Sequence, residues 1–172
     1  MRRIIVLTLA VGAIAYAPAT AAGPPKAPKP KPRGTLCVLH AKLLPGNEVR
    51  TAPVTDPVES RATGIAKIKV RRNGTVEFRF RIKNPAREEF RVGHIHAGAA
   101  GTNGPPVAFL FSGPPTTAKK IRAHGTTTFI AGSNVTGADL CANPSAFYVN
   151  FHTREDPQGA IRGQLGHRGH GR

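Results

Sequence analysis

The sequence predicts an all-β protein, an antiparallel sandwich or barrel of short strands, and three observations carry that expectation. Apolar and polar residues alternate with a period of two in several stretches. Gly, Pro and Asn break the chain between those stretches, as turns of a β protein require. No apolar pattern of helical period runs longer than about three turns, and only "GADLCAN", residues 137–143, reads as a single helical turn.

The elements follow in order. "TLCVLHAKL", residues 35–43, opens the domain. In "GIAKIKVRRNGTVEFRFRIK", residues 64–83, Ala66, Ile68 and Val70 alternate with Lys67, Lys69 and Arg71. After Asn73-Gly74, a strong two-residue hairpin signal, Val76, Phe78, Phe80 and Ile82 alternate with Glu77, Arg79, Arg81 and Lys83. One face of this hairpin is apolar and faces a core. The other carries Lys67, Lys69, Arg71, Arg79, Arg81 and Lys83 against Glu77, and is either a solvated face or an anion-binding one. "RVGHIHAG" (91–98) is a short strand. "PVAFLFSG" (106–113) reads as buried on both faces, and "GTTTFIAG" (125–132) as a β-branched strand. "AFYVNFHT" (146–153) alternates Phe147, Val149 and Phe151 with Tyr148, Asn150 and His152. "GAIRGQL" closes the domain after the turn "EDPQG".

The ends read differently. Residues 1–21, "MRRIIVLTLAVGAIAYAPATA", have the basic start, apolar middle and Ala19-Thr20-Ala21 cleavage site of a secretory signal peptide, with an uncleaved N-terminal anchor as the alternative. Residues 22–34 are a Pro/Lys-rich stretch that cannot bury a core and reads as a disordered linker. Residues 167–172 read as a disordered tail. The folded domain is expected at 35–166, long enough to bury a core, with no later span apolar enough to cross a bilayer. The chain holds two cysteines, Cys37 and Cys141. In an exported protein such a pair is most simply a disulfide.

The formal net charge is +16. A basic exported protein is drawn to anionic partners, here cell-envelope or extracellular polymers. The export signal and the scarcity of aromatic residues for stacking argue against nucleic acid. The motifs of several enzyme classes are missing. The glycine loop 98–104 lacks the Gly-Lys-Ser/Thr of a phosphate cradle. No serine sits in Gly-x-Ser-x-Gly, and Glu155 and Asp156 sit in a turn rather than a cleft.

Four stretches resemble the CHRD domain, a family named for chordin and found in many exported bacterial proteins. They are "LHAKLLPGNEV", "ATGIAKIKVRRNGTVEFRFRI", "VGHIHAGAAGTNGPPVAFLF" and "FYVNFHTREDPQGAIRGQL", together spanning about residues 36–165. The resemblance implies an immunoglobulin-like or superoxide-dismutase-like antiparallel β-sandwich. It implies no established activity, and chordin's role as a growth-factor antagonist does not transfer to a lone domain. The chain departs from the family at Gln158 and Ala160, where Gly and Glu are frequent. In the matched motifs Asn103, Gly104, Asn150, Thr153, Arg162 and Gly163 are framework candidates, and a pairing of Arg162 with Glu48 is an attractive expectation.

The histidines remain. Residues i and i+2 of a strand share a side, so His94 and His96 face one way. His152 points with Asn150 and Tyr148. If the two strands lie side by side, His94, His96 and His152 form a three-histidine set suited to Zn²⁺ or Cu²⁺. The His-x-His strand also resembles half of a copper-zinc dismutase site, but the aspartate and further histidines of a second metal are missing, and His40 and His124 have no assigned place. The framework reading has these histidines bonding loop backbone instead. The sequence thus points to a non-catalytic exported binding domain of unknown ligand. The alternatives are a transition-metal-binding, dismutase-like protein and an anionic-polymer-associated envelope protein using the basic sheet face.

Overall fold

A computed structural model describes residues 34–167. The expected signal peptide, nearly all of the linker and residues 168–172 lie outside the described residues. Two antiparallel sheets pack face to face. The first holds strands β1 (Thr35–Leu43), β2 (Thr63–Arg71), β3 (Val76–Lys83), β6 (Lys120–Thr127) and β9 (Gly166–His167), in the order β6-β3-β2-β1-β9. The second holds β4 (Phe90–Ala97), β5 (Pro106–Phe111), β7 (Phe147–Thr153) and β8 (Ile161–Gln164), in the order β5-β4-β7-β8. One short helix, α1 (Gly137–Ala142), carries a capping box in which Thr136 and Asp139 satisfy each other's backbone N–H groups.

The period-two pattern sets which side chains enter the sandwich. From the first sheet Leu39, Leu43, Ile68, Val70, Val76 and Phe80 are buried, and from the second Phe90, Ile95, Val149, Phe151 and Ile161. Phe80 and Phe151 meet edge to face across the two sheets, with ring centroids 4.7 Å apart. The Phe151 ring also lies where a Cβ on Gly93 would be, so glycine at 93 lets the ring cover β4. Full burial of each large apolar side chain contributes about 1.5–3 kcal/mol, and these contacts hold the sheets in register.

The strands of the 64–83 hairpin pair as their alternation requires, with Ile68 opposite Phe78 and Lys67 opposite Arg79. The turn is one residue longer than the two-residue turn expected: the Arg71 N–H bonds to the Thr75 carbonyl and encloses Arg72, Asn73 and Gly74. Four further expectations need correction. The β-branched strand read at 125–132 lies earlier, at Lys120–Thr127. Gly125, read as its start, is an interior position beside the Phe78 ring. β5 is not buried on both faces: Phe109 is 45% exposed. His167, expected in the tail, pairs with Leu39 of β1 in the short strand β9. In β7 the simple alternation disappears, because Phe147 to Phe151 are all buried. Its outer face is roofed by loops.

Cys37 of β1 and Cys141 of α1 form the expected disulfide, with Cα atoms 5.8 Å apart across 104 residues of sequence. The bond fastens α1 to the first sheet. In the chain-entropy picture a cross-link over so long a loop contributes about 4–5 kcal/mol, measured values usually falling below that. We therefore expect Cys37→Ser/Cys141→Ser to lose about 2–5 kcal/mol of unfolding free energy, read as a lower urea midpoint. An unchanged midpoint contradicts a stabilising role for the bond.

Candidate metal centre

β4 and β7 lie side by side, with His94 opposite Asn150 and His96 opposite Tyr148. Gly93 and Ile95 fill the core face of β4, so His94 and His96 point away from the core, beneath the loops. His152 leaves β7 on the same side. One ring nitrogen from each of His94, His96 and His152 lies within 4.8 Å of the other two. The His94 Nδ1 to His152 Nε2 distance is 3.4 Å. Two nitrogens bonded tetrahedrally at the usual zinc distance stand about 3.3 Å apart, so that pair is already at ligand spacing.

The surroundings decide which nitrogens are available. His96 Nδ1 lies 2.9 Å from the Gly104 carbonyl oxygen. A carbonyl only accepts, so Nδ1 carries the proton and Nε2 keeps its lone pair. His152 is set the same way, its Nδ1–H donating to the Pro157 carbonyl at 3.0 Å. Both Nε2 lone pairs are thereby held in place by backbone oxygens, the outer-shell arrangement that orients metal-binding histidines. His152 Nε2 accepts from His94 Nδ1. His96 Nε2 is buried with no hydrogen-bond partner, although a buried polar atom without one costs about 1–3 kcal/mol.

The cluster is held neutral. Burial, helped by the neighbouring histidines, pushes His94 down to about 4. Burial likewise pushes His96 to about 4, against the opposing pull of the Gly104 carbonyl, and it lowers His152. All three rings are thus neutral at neutral pH, each with one N–H and one lone-pair nitrogen, the form a metal needs.

A buried arginine frames the site. Arg162 on β8 is 1% exposed. Its guanidinium donates to the Thr102 carbonyl at 2.7 Å, to the Ala99 carbonyl at 3.1 Å and to Asn103 Oδ1 at 3.0 Å. It lies 3.4 Å above the centre of the Tyr148 ring. Tyr148 stacks in turn on His96, with centroids 4.8 Å apart. Asn103 Nδ2 donates to the Val49 carbonyl at 2.7 Å, and Gln164 Nε2 reaches the Gly98 carbonyl at 2.7 Å. Gly104 has to be glycine: a Cβ there would collide with the Ala97 carbonyl. The loop 98–104 is therefore strapped over the histidines.

Glu48 adds a second unusual group. Burial raises its carboxyl to about 8, although Arg162, Asn150 and Arg50 all favour the ionised form. Oε2 accepts from Asn150 Nδ2 at 3.3 Å, while Oε1 is buried without a partner. Gly159, with φ 140°, makes room for both side chains. The expected Arg162–Glu48 ion pair does not form, because Arg162 is committed to the loop. Arg50 instead pairs with Asp156 at 2.7 Å. Thr153 Oγ1 accepts from the Asp156 N–H at 3.0 Å. Thr153 thus braces the turn after β7, and Asn150 braces Glu48. Gly163 packs its bare Cα against the Lys42 carbonyl.

Comparison with known protein families matches the CHRD domain over residues 39–165. The chain belongs to the CHRD domain family. Searches of curated proteins and of solved structures find no match. In this CHRD domain the matched span begins in β1 and ends just after β8, so it covers both sheets, the histidine cluster and its roof.

The basic residues fall elsewhere, on the outer face of the first sheet, where Lys67, Lys69, Arg71, Arg79, Arg81 and Lys83 share one side. Glu77 takes two of them, Arg71 at 2.6 Å and Lys69 at 3.3 Å. His40 stands opposite Lys67 and His124 opposite Arg79, so these two histidines belong to the basic face. Tyr148 is the part of the histidine site to which the sequence reading gave no role, and Glu48 was read there only as a partner for Arg162. Among the described residues both cysteines are in the disulfide and neither is a free thiol, and no helix is long and apolar enough to cross a membrane.

Two outcomes follow for the metal-free protein. Arg162→Met leaves the Thr102 carbonyl and Asn103 Oδ1 without their donor, while the Ala99 carbonyl keeps its bonds from Thr102, and is expected to cost at least about 2 kcal/mol, measured by urea unfolding. The second concerns pH. His94 and His96 bind protons more weakly folded than unfolded, so their contribution is whole above pH 6.5 and is lost as pH falls toward 4. Glu48 acts oppositely: it binds its proton more tightly when folded, so its contribution is whole below 4.5 and is lost as pH rises to 8. Between pH 6.5 and 8 Glu48 acts alone of the three. Wild-type stability should decline across that window, while Glu48→Gln should stay flat.

Proposed function

We propose that this chain is an exported CHRD-domain protein that binds one divalent transition ion, Zn²⁺ or Cu²⁺, through His94, His96 and His152. The observation that carries the reading is the buried, partnerless Nε2 of His96, beside two further neutral imidazole nitrogens. Backbone carbonyls holding the proton on Nδ1 of His96 and His152 favour the same reading. Three imidazoles suit these metals and leave a further coordination position open to water or an outside ligand. His94 would give up its N–H contact to His152 and move its proton to Nε2, or bind through Nε2 instead.

The reading is of a binding domain rather than a two-metal dismutase. Among the described residues this is the one group of three or more His, Cys, Asp or Glu close enough to share an ion. Export fits the disulfide, since such bonds persist in oxidising compartments. The chemistry asked of the chain is to hold the ion outside the cytoplasm, with the loop 98–104 limiting access.

Titration calorimetry with Zn²⁺ and with Cu²⁺, beside the metal content of the purified protein, tests this. One equivalent is expected, with His96→Ala and His152→Ala each weakening binding at least about 100-fold. Because His94 and His96 stay neutral down to about pH 4, affinity should change little between pH 8 and 5, where an ordinary imidazole site weakens below about 6.5. No heat from either metal, or heat that His96→Ala leaves intact, rejects the proposal.

A further inference from the structure

The outer face of the first sheet is a lattice of charge. Cross-strand registers arrange it in rows. One row runs Lys42, Ile65, Arg81, Arg122 across β1, β2, β3 and β6; the next runs His40, Lys67, Arg79, His124. Lys83 and Lys120 begin a third row. Neighbouring strands stand about 4.8 Å apart, and same-face residues along a strand about 6.5–7 Å apart. Lys42, Lys67, Arg79, Arg81 and Arg122 are exposed, and no carboxylate among the described residues lies within ion-pair distance of any of them. Like charges placed side by side repel. This face therefore carries a standing electrostatic cost that a partner of opposite sign would relieve.

The shape of the face narrows the partner. Two shallow depressions lie on it and share Lys67 and Arg79, so they form one trough across the strands. One end reaches His124 and Thr126; the other reaches Asn47, Ser145 and Gln164. Asn47 and Gln164 spend their amide N–H groups on backbone carbonyls, which leaves their side-chain oxygens to accept from hydroxyl donors. No Tyr or Trp lines the trough, and of its two Phe side chains Phe80 is buried and Phe78 half-buried, which leaves the histidine imidazoles as the main ring surface for bases to stack on. Its one large exposed apolar side chain is Ile65, 55% exposed, too little to bury in a lipid interface. Cations at a repeat of about 5 Å, with hydroxyl acceptors at one end, fit a chain that alternates acid groups with hydroxyls.

We propose that this face binds an acidic polysaccharide laid across β1, β2, β3 and β6, with the sugar carboxylates against Lys42, Lys67, Arg79, Arg81 and Arg122. The site is separate from the histidine cluster, which lies on the outer face of the other sheet, and it does not depend on metal.

Binding of the full chain to polygalacturonate, by calorimetry or interferometry at 50 mM NaCl, tests it. Expected are saturable binding, weakening of at least tenfold by 300 mM NaCl, and no comparable binding of monomeric galacturonate. Lys67→Gln/Arg79→Gln/Arg81→Gln should weaken binding at least tenfold. Arg61→Gln/Arg91→Gln/Arg154→Gln removes the same charge away from the face and should weaken it less than threefold. Lys42→Gln/Arg122→Gln, at the two ends of one row, should give an intermediate loss. All these side chains are exposed, so thermal unfolding should shift little, which separates lost binding from lost fold. Equal losses in face and control variants would reduce the effect to net charge and overturn the proposal. So would tighter binding to phosphatidylglycerol vesicles or to poly(dT) than to polygalacturonate at equal anion concentration. Binding that survives chelation and His96→Ala supports the separation of the two sites; binding lost with them refutes it.

Discussion

A guanidinium buried between a sheet and a loop governs the functional side of this molecule. Arg162 cannot shed its charge at ordinary pH, so burial obliges the chain to surround it with acceptors. The loop 98–104 supplies them, two from its backbone and one from Asn103. The flat face of the same group rests on Tyr148, and Tyr148 rests on His96. The position of the loop, the tilt of one histidine ring and the roof over the other two thus follow from one side chain on β8. Lysine at 162 would supply a charge but neither the planar stack nor the forked donors.

The two faces of the sandwich solve opposite electrostatic problems. Behind the second sheet, desolvation wins: histidines are kept neutral and Glu48 is held protonated up to about 8. In front of the first sheet, solvation wins, and cations stand in the open with Glu77 as their nearest partner. The same period-two alternation produces both, because each strand sends one set of residues inward and the other outward. What differs is whether loops cover the outer set.

Much of this was legible in the sequence. The hairpin at 64–83 was marked by alternation and Asn73-Gly74; its register is the one the alternation requires, reached through a loop one residue longer than a two-residue Asn-Gly turn. The convergence of His94, His96 and His152 followed from strand parity alone once β4 and β7 were neighbours. Other features were hidden because they depend on what packs above a strand. β7 lost its alternation when loops buried Asn150 and Tyr148. Gly125 looked like a boundary and is instead a strand position where a small residue accommodates the Phe78 ring, which displaced β6 by several residues and hid Lys120 and Arg122 from the basic face. The expected Arg162–Glu48 pair failed because long-range loop acceptors, invisible to local spacing, claimed the arginine first.

The margins of the two sheets carry one more consequence. A free sheet edge offers unpaired backbone groups to any other strand and so invites fibril growth. Here every edge is short, capped or charged. β9 is two residues long and lies against β1. β8 is four residues long, with Leu44 bridged to Arg162 on its outer side. β5 starts at a proline and is bridged to Phe129. β6, the longest edge, bears Lys120 and Arg122. A sandwich built this way can be crowded at high local concentration, as along a polymer surface, without its sheets zipping into one another.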